Sequence, residues 1–446
     1  MYRRLAMAQR LSLVPLPLAL LAVVLLLSLG ARVAWLGSPC RSPCRSADDH
    51  LLVFDEVYYV NAARVIAGIP PPADQKYTGT PLGDDPNAEH PQLVKLLVAG
   101  SIELLGDRPL AWRLPSLLLG SLAIIGMFVL ARAAGGGAWL ALAAAGLMAA
   151  DNLLLVHGRI ATLDVPVVAL MIFSVALYVR RRPVWAGLLI GVGSCLKLVA
   201  PYALLALALL ELLRVREVPR VRLARLGACV TSAVAVFIAL LAVMDQIAPP
   251  YDATSAKVLG TSPFRHLAHI LSYGANQTSP HGAQGIASYP WTWLVDFKPI
   301  TYLNINPARP APGLYNVHPA AHFLGMISPA IMLLALPALL WIVWEMLRSR
   351  GRSLAASVSR MRTTRAGEVP AVALAWSLGT FLPFVVLSLA FERTSYIYYM
   401  VVVMPGIYLA VAYLLARARR RRALLALWAV LLLGTVVAMY PFTPVP

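Results

Sequence analysis

The chain has 446 residues, 59% of them hydrophobic and 13% charged. A soluble protein is about 45–50% apolar and about 25% charged, so this composition leaves too little polar area to cover a soluble surface. The 38 Lys and Arg against 20 Asp and Glu give a net charge of +18, an excess that points to nucleic acid in a soluble chain; here the charges punctuate apolar runs, which excludes that class and defines a polytopic membrane protein.

In chain order, apolar runs long enough to cross about 30 Å of hydrocarbon fall near 11–36, 110–131, 138–156, 161–179, 184–213, 226–247, 322–346, 369–391, 396–416 and 423–440. Arg3, Arg4 and Arg10 before the first run resemble the charged region of a signal peptide. That run exceeds the ~7–15 residues of a signal core and lacks a convincing small-x-small cleavage pattern, so it reads as the first span. The run 184–213 is too long for one helix and is interrupted by Lys197 and Pro201. Two shorter spans meeting there bring the total to eleven. The expected fold is therefore an all-α polytopic membrane protein of about 11 transmembrane helices, a single unit over 1–446. Two long outer loops, 37–109 and 248–321, carry short amphipathic pieces at 54–67 and 92–105 that read as interfacial helices.

Alternating sides from a cytoplasmic N-terminus places 23 arginines and no lysine in the inner segments. These are Arg3, Arg4, Arg10, Arg132, Arg180 to Arg182, Arg214, Arg216, Arg220, Arg222, Arg225, Arg348, Arg350, Arg352, Arg360, Arg362, Arg365, Arg417 and Arg419 to Arg422. The asymmetry fits the positive-inside rule and puts the C-terminus outside, at the cell membrane. Ten of the twenty acidic residues lie between Asp48 and Asp107, so function is expected on the outer face.

Cys195 and Cys229 sit in apolar runs and read as buried free thiols. Cys40 and Cys44 flank a proline-containing stretch and can bridge if their loop faces an oxidising compartment. Asn276-Gln277-Thr278 matches a glycosylation acceptor, and Gly135–Gly137 reads as a flexible turn. The chain has no P-loop, no GxGxxG before a helix, no HExxH and no repeats of the transporter kind.

Ionisable residues near membrane depth are costly and mark function by default. Five places hold them: Asp55-Glu56, the run Glu89-His90-Pro91-Gln92-Leu93-Val94-Lys95, Arg159 with Asp164, Lys197, and Arg393 after Glu392. Each has a plainer reading. Asp55 can cap a helix, His90 can end a loop, Arg159 and Asp164 can pair across a turn, and Lys197 and Arg393 can snorkel. Together they set two carboxylates against up to five cations on one face. Converging cations suit a phosphate at headgroup level, and a nearby carboxylate can act as general base on a hydroxyl. The combination fits group transfer from a lipid phosphate, whose leaving charge the cations stabilise. No protein metal cage is evident. The reading requires no cofactor and leaves a divalent metal open.

These motifs resemble the protein O-mannosyltransferase family, within the C-type superfamily of membrane glycosyltransferases, in a prokaryotic form. Phe54-Asp55-Glu56 is similar to that family's Asp-Glu pair, and His90-Pro91-Gln92-Leu93-Val94-Lys95 to its His-Pro-Pro-x-x-Lys. Arg113-Leu114-Pro115 resembles its second-helix arginine, His157 through Asp164 its Ser-Arg-x-x-x-Leu-Asp, and Gly193 through Lys197 its Gly-x-x-x-Lys. Tyr289 through Leu294 with Lys298-Pro299 resembles Pro-Trp-x-Trp-Leu…Arg-Pro, and Arg393 through Pro405 the final aromatic segment. Gln92 and Lys298 depart from the pattern, and 248–321 has no room for the soluble domain of eukaryotic members.

The resemblance implies transfer of mannose from a polyprenyl or dolichyl phosphate to Ser/Thr of an exported protein, with inversion and with the lipid bilayer as the second partner. It implies Asp55 as general base and Glu56 as the group placing acceptor or sugar. Arg159, Lys197 and Arg393 would hold the donor phosphate, with His90, Lys95 and Arg113 as second candidates, and Asp164 would orient Arg159. A lipid or cell-wall glycan acceptor, and a lipid-linked sugar transporter, are the alternatives. No nucleic-acid partner is expected.

Overall fold

The computed structural model describes residues 15–214, 217–296, 298–355, 367–418 and 420–443, with side chains undescribed at 349–355. Arg3, Arg4, Arg10, Arg216, Arg360, Arg362, Arg365 and Arg419 of the expected inner set lie outside those residues.

The architecture is helical. The first apolar run forms α1 (Leu16–Val33), and the long loop 37–109 carries α2 (Glu56–Ile66) and α3 (Leu93–Leu105). Then follow α4 (Pro109–Ala133), α5 (Ala138–Ala150), α6 (Asn152–His157), α7 (Asp164–Val179), α8 (Pro183–Leu196), α9 (Tyr202–Leu213) and α10 (Pro219–Ile247). The long loop 248–321 holds α11 (Pro263–Asn276) and the short α12 (Pro290–Trp293), and then come α13 (Pro329–Ala355), α14 (Val369–Phe391), α15 (Met400–Arg417) and α16 (Arg422–Ala438).

Each expected apolar run contains a helix over its described residues, although the run 322–346 begins in the strand Ala321–Gly325. Among the described residues six helices are long and apolar enough to cross a membrane alone, and five shorter apolar helices are α5, α7, α8, α9 and α16. The run 138–156 is not one helix. Asp151 breaks it in β conformation and accepts the Leu153 N–H as the cap of α6. The run 184–213 breaks as expected, with Lys197 extended at the end of α8 and Pro201 before α9; proline cannot donate into a preceding turn.

Burial divides the helices as a bilayer solvent requires. None of the described residues of α16 is buried, and Leu26 and Leu27 of α1 are about two-thirds exposed (68% and 69%). Small residues let helices approach: a Cβ at Gly379 of α14 would collide with the Ala206 backbone of α9, and one at Gly187 of α8 with α10, as expected where close packing replaces the hydrophobic drive.

Short strands stitch the outer loops together. β1 (Cys40–Arg41) pairs antiparallel with β5 (Val317–His318), β2 (Tyr251–Asp252) with β3 (Lys257–Val258), and β4 (Ile300–Ile305) with β6 (Ala321–Gly325). Cys40 and Cys44 form a disulfide, and Cys195 and Cys229 are buried free thiols. At the far end of α9, several arginines of the expected inner set are bound in ion pairs. Arg214 contacts Glu211 at 3.0 Å and Glu368 at 2.6 Å, Arg225 reaches Glu211 at 3.2 Å, and Glu217 joins Arg181 to Arg225.

Candidate active site

The start of α2 decides what each of the two adjacent carboxylates does. Phe54 adopts a left-handed backbone (φ 56°) and stacks on Tyr302, ring centroids 4.0 Å apart. Asp55 then occupies the N-cap position of α2 without any capping bond from its side chain, so the carboxylate is free of the role that position usually gives it. Successive residues on a helix point about 100° apart, so Asp55 and Glu56 face different surroundings. Glu56 turns inward and is fully buried. It takes Arg113 Nε at 2.8 Å and Nη2 at 2.7 Å, the Val53 N–H at 2.8 Å and the Ala161 N–H at 2.8 Å. Asp55 faces a cavity of about 690 Å³.

That cavity lies between α2, α11, the first turns of α7, α9 and α15 and the last turns of α14. Asp55, Glu89, His90, Asp164, Lys197 and Arg393 contribute its ionisable lining. Ile270, Leu271, Phe384, Leu387 and Phe391 make an apolar wall. Lys197 projects from the break between α8 and α9 and lies 2.5 Å from Asp164 Oδ1. It also sits 5.6 Å from the ring centroids of both Tyr398 and Tyr399. Asp164 is the first residue of α7, where the helix dipole favours a negative charge. Arg393 follows Glu392, which ends α14 in the left-handed conformation (φ 49°). Its guanidinium donates to the Gly274 carbonyl of α11. Thr394 N–H to Gln277 O at 2.9 Å and Ser279 N–H to Glu392 O at 2.8 Å tie the same turn to the second loop.

Burial pushes the Asp55 carboxyl up to about 7; Asp164 adds to the rise and Lys197 opposes it. Burial, joined by Lys197, Lys95 and Arg393, drives His90 well below the usual histidine range, so its ring is neutral. Glu89 is raised, mainly by burial.

The other expected residues stand elsewhere. Lys95 is buried in an ion pair with Asp85 at 2.5 Å and also donates to the carbonyls of Asn87 and His90, at 2.5 and 2.8 Å. It shapes the loop that carries His90 and does not line the cavity. Arg113 is held by Glu56 and by the carbonyls of Leu36 and Leu51. Arg159 donates to Ala34 O at 3.0 Å and packs its guanidinium 4.8 Å from the Phe442 ring centroid, with Phe323 and Tyr440 beside it. The expected pairing of Asp164 with Arg159 is corrected: the Asp164 ion-pair partner is Lys197, with His157 Nδ1 at 3.9 Å from its other oxygen. Glu56, expected against acceptor or sugar, spends both oxygens on the scaffold.

Sequence reading passed over Tyr302, whose hydroxyl contacts His157 Nε2 at 2.7 Å. A lone tyrosine in a loop strand carries no motif. Tyr396, Tyr398 and Tyr399 lay within the matched aromatic segment but had no assigned place. Among the described residues, Cys40, Cys44 and His50 form the one cluster with metal-ligand spacing, and the disulfide uses both of its thiols.

The fold is one that solved polytopic membrane glycosyltransferases share. Residues 89–244 match the family model described as "Dolichyl-phosphate-mannose-protein mannosyltransferase", in agreement with the resemblance carried by the motifs. Among solved structures, the chain is similar to the S. cerevisiae protein O-mannosyltransferase Pmt1-Pmt2 complex bound to the sugar donor. The TM-score there is 0.66 at 13% identity, over 97% of this chain and 91% of that one. It is similar also to ArnT from Cupriavidus metallidurans bound to undecaprenyl phosphate (TM-score 0.50, 19% identity, 90% of this chain and 60% of that one). The Archaeoglobus fulgidus oligosaccharyltransferase gives a TM-score of 0.54 at 14% identity, over 96% of this chain and 56% of that one. At these identities the likeness is one of fold. No curated protein matches the chain in sequence.

Proposed function

We propose that the protein transfers mannose from a polyprenyl-phosphate donor to Ser/Thr hydroxyls of exported proteins, on the outer face of the cell membrane, with inversion at the anomeric carbon. The observation that carries this reading is the cavity itself. One carboxylate with its charge-bearing form poised near neutrality faces two cations, Lys197 and Arg393, with an apolar wall beside them.

Asp55 is the general base. The acceptor oxygen forms its bond to the anomeric carbon as the bond from that carbon to the phosphate oxygen breaks. The hydroxyl proton passes to Asp55, and the lipid phosphate leaves as an anion. Lys197 and Arg393 stabilise that anion, whose charge develops in the transition state, and neutral His90 serves as an edge of the same pocket. The wall of Ile270, Leu271, Phe384, Leu387 and Phe391 suits the first prenyl units. Glu56 with Arg113, and Asp85 with Lys95, act as positioning pairs for the loops that carry Asp55 and His90. Supporting the donor class, the two relatives described with bound ligands hold a sugar donor and undecaprenyl phosphate.

A lipid or cell-wall glycan is the rival acceptor. Membranes holding the protein are incubated with labelled lipid-phosphate mannose. Label entering protein at Ser/Thr supports the reading, and label entering only lipid or glycan overturns the acceptor.

A further inference from the structure

Gln92 breaks the motif that surrounds it, standing where the pattern has a second proline. In the fold it has a buried partner. Gln92 Nε2 donates to Asp245 Oδ1 at 2.7 Å, and the same oxygen lies 2.7 Å from His266 Nδ1. His266 Nε2 lies 3.1 Å from the Ala88 carbonyl. The side chains of Gln92, Asp245 and His266 are all fully buried. Both ring nitrogens of His266 thus lie within hydrogen-bond distance of an oxygen.

Three elements meet at this point: the start of α3, the last turn of α10 and the first turn of α11. The flanking residues Leu93, Met244 and Leu267 share one small apolar cluster there, so polar and apolar contacts fix the same joint. What the joint holds matters more than the joint. Ala88 immediately precedes Glu89 and His90, which line the cavity, while α11 carries Ile270, Leu271 and Gly274 along the opposite side. Gly274 offers the carbonyl that receives Arg393. His266 and Gly274 are eight residues apart on one helix, a rigid rod of about 12 Å.

We propose that Gln92, Asp245 and His266 form a positioning bridge that sets the spacing between the His90 edge and the Arg393 edge of the cavity, and thereby the grip on the donor phosphate. None of the three touches substrate; they act through α11 and Arg393. The donor part of this proposal rests on the functional reading above.

The test uses the full-length protein in detergent with undecaprenyl phosphate as probe. His266→Ala should weaken its binding about tenfold or more, the scale of a small misplacement of binding groups. Gln92→Leu, which removes one amide at similar size, should weaken it less. In an Arg393→Ala background His266→Ala should cost little more, because residues acting through one partner are not additive. Hydrogen exchange should quicken along 266–276 and at 88–90 in His266→Ala, with melting still cooperative. Full additivity with Arg393→Ala, or unchanged exchange in those two segments, would overturn the bridge. Failure of the wild-type protein to bind the lipid phosphate would overturn the functional reading and the donor role, while the exchange rates still decide the bridge.

Discussion

Lys197 reaches Asp164 at 2.5 Å across the break between α8 and α9, and both line the cavity that Asp55 faces. The pair divides the charges around the cavity into two sets. Lys197, Asp164, Arg393, His90 and Asp55 face the cavity, whereas Glu56, Arg113, Lys95 and Arg159 bind the scaffold around it. Different failures follow from mutating the two sets.

For the cavity set, Lys197→Ala should lower kcat/KM by about 100-fold, the usual cost of removing one donor to a developing anion. Asp164 loses its buried ion-pair partner in that variant, so melting temperature should fall as well. Lys197→Ala with Asp164→Asn, which removes the unpaired charge, should recover melting temperature but not activity. Initial rates with lipid-phosphate mannose, alongside thermal unfolding in detergent, separate the two, and recovery of both together would return Lys197 to the scaffold.

For the scaffold set, Glu56→Ala leaves the Arg113 guanidinium buried beside two carbonyls without its carboxylate. Removing one member of a buried pair costs about 3–5 kcal/mol, so folded yield and melting temperature should fall sharply, and Glu56→Gln should recover part of the loss. A stable Glu56→Ala protein with no activity would instead place Glu56 in the chemistry.

Much of this arrangement was legible in the sequence, and the missing part has a physical reason. Hydropathy locates spans because lipid enforces it on every residue of a run, and the long apolar helices follow the expected runs, whereas α11 and α12 in the loop 248–321 carry no such signal. The break at Asp151 was hidden because two adjacent polar residues, Asp151 and Asn152, barely lower the mean of 138–156. Ion-pair partners were the least legible. Glu56 and Arg113 are 57 positions apart and Asp164 and Lys197 are 33 apart, and spacing along a chain says nothing about which groups meet across helices. The opposite facing of Asp55 and Glu56 did have a signal, the 100° step of a helix beginning at Glu56, and the bridge at Asp245 and His266 had none.

Asp55 gives a pH dependence with a definite sign. Its carboxyl is raised from 3.8 to about 7, so the base form is available only above that value. kcat/KM should climb with pH through about 7 and level off above it. Stability runs the other way: the folded state holds this proton more tightly than the unfolded chain, so stability is lost between about pH 4 and 7 as the group ionises. Asp55→Asn should therefore raise the melting temperature at pH 8 and leave it nearly unchanged at pH 4. A wild-type profile flat from pH 6 to 8 would contradict the assignment.

The disulfide predicts a thiol count. Without reductant, the unfolded protein should present two alkylatable cysteines, Cys195 and Cys229, and with reductant four. Cys40→Ser with Cys44→Ser should cost about 2 kcal/mol, the scale for closing so short a loop. Mass spectrometry after alkylation reads the count directly, and four reactive thiols without reductant would contradict it.

The central claim is that Asp55 takes a hydroxyl proton during sugar transfer from a lipid phosphate. The purified wild-type protein and Asp55→Asn are given polyprenyl-phosphate mannose and a Ser/Thr peptide, and the peptide is analysed for hexose. The account predicts hexose on the wild-type product, with inverted anomeric configuration, and a loss of at least about 100-fold in Asp55→Asn. Undiminished transfer by Asp55→Asn would remove that residue from the mechanism and contradict the account.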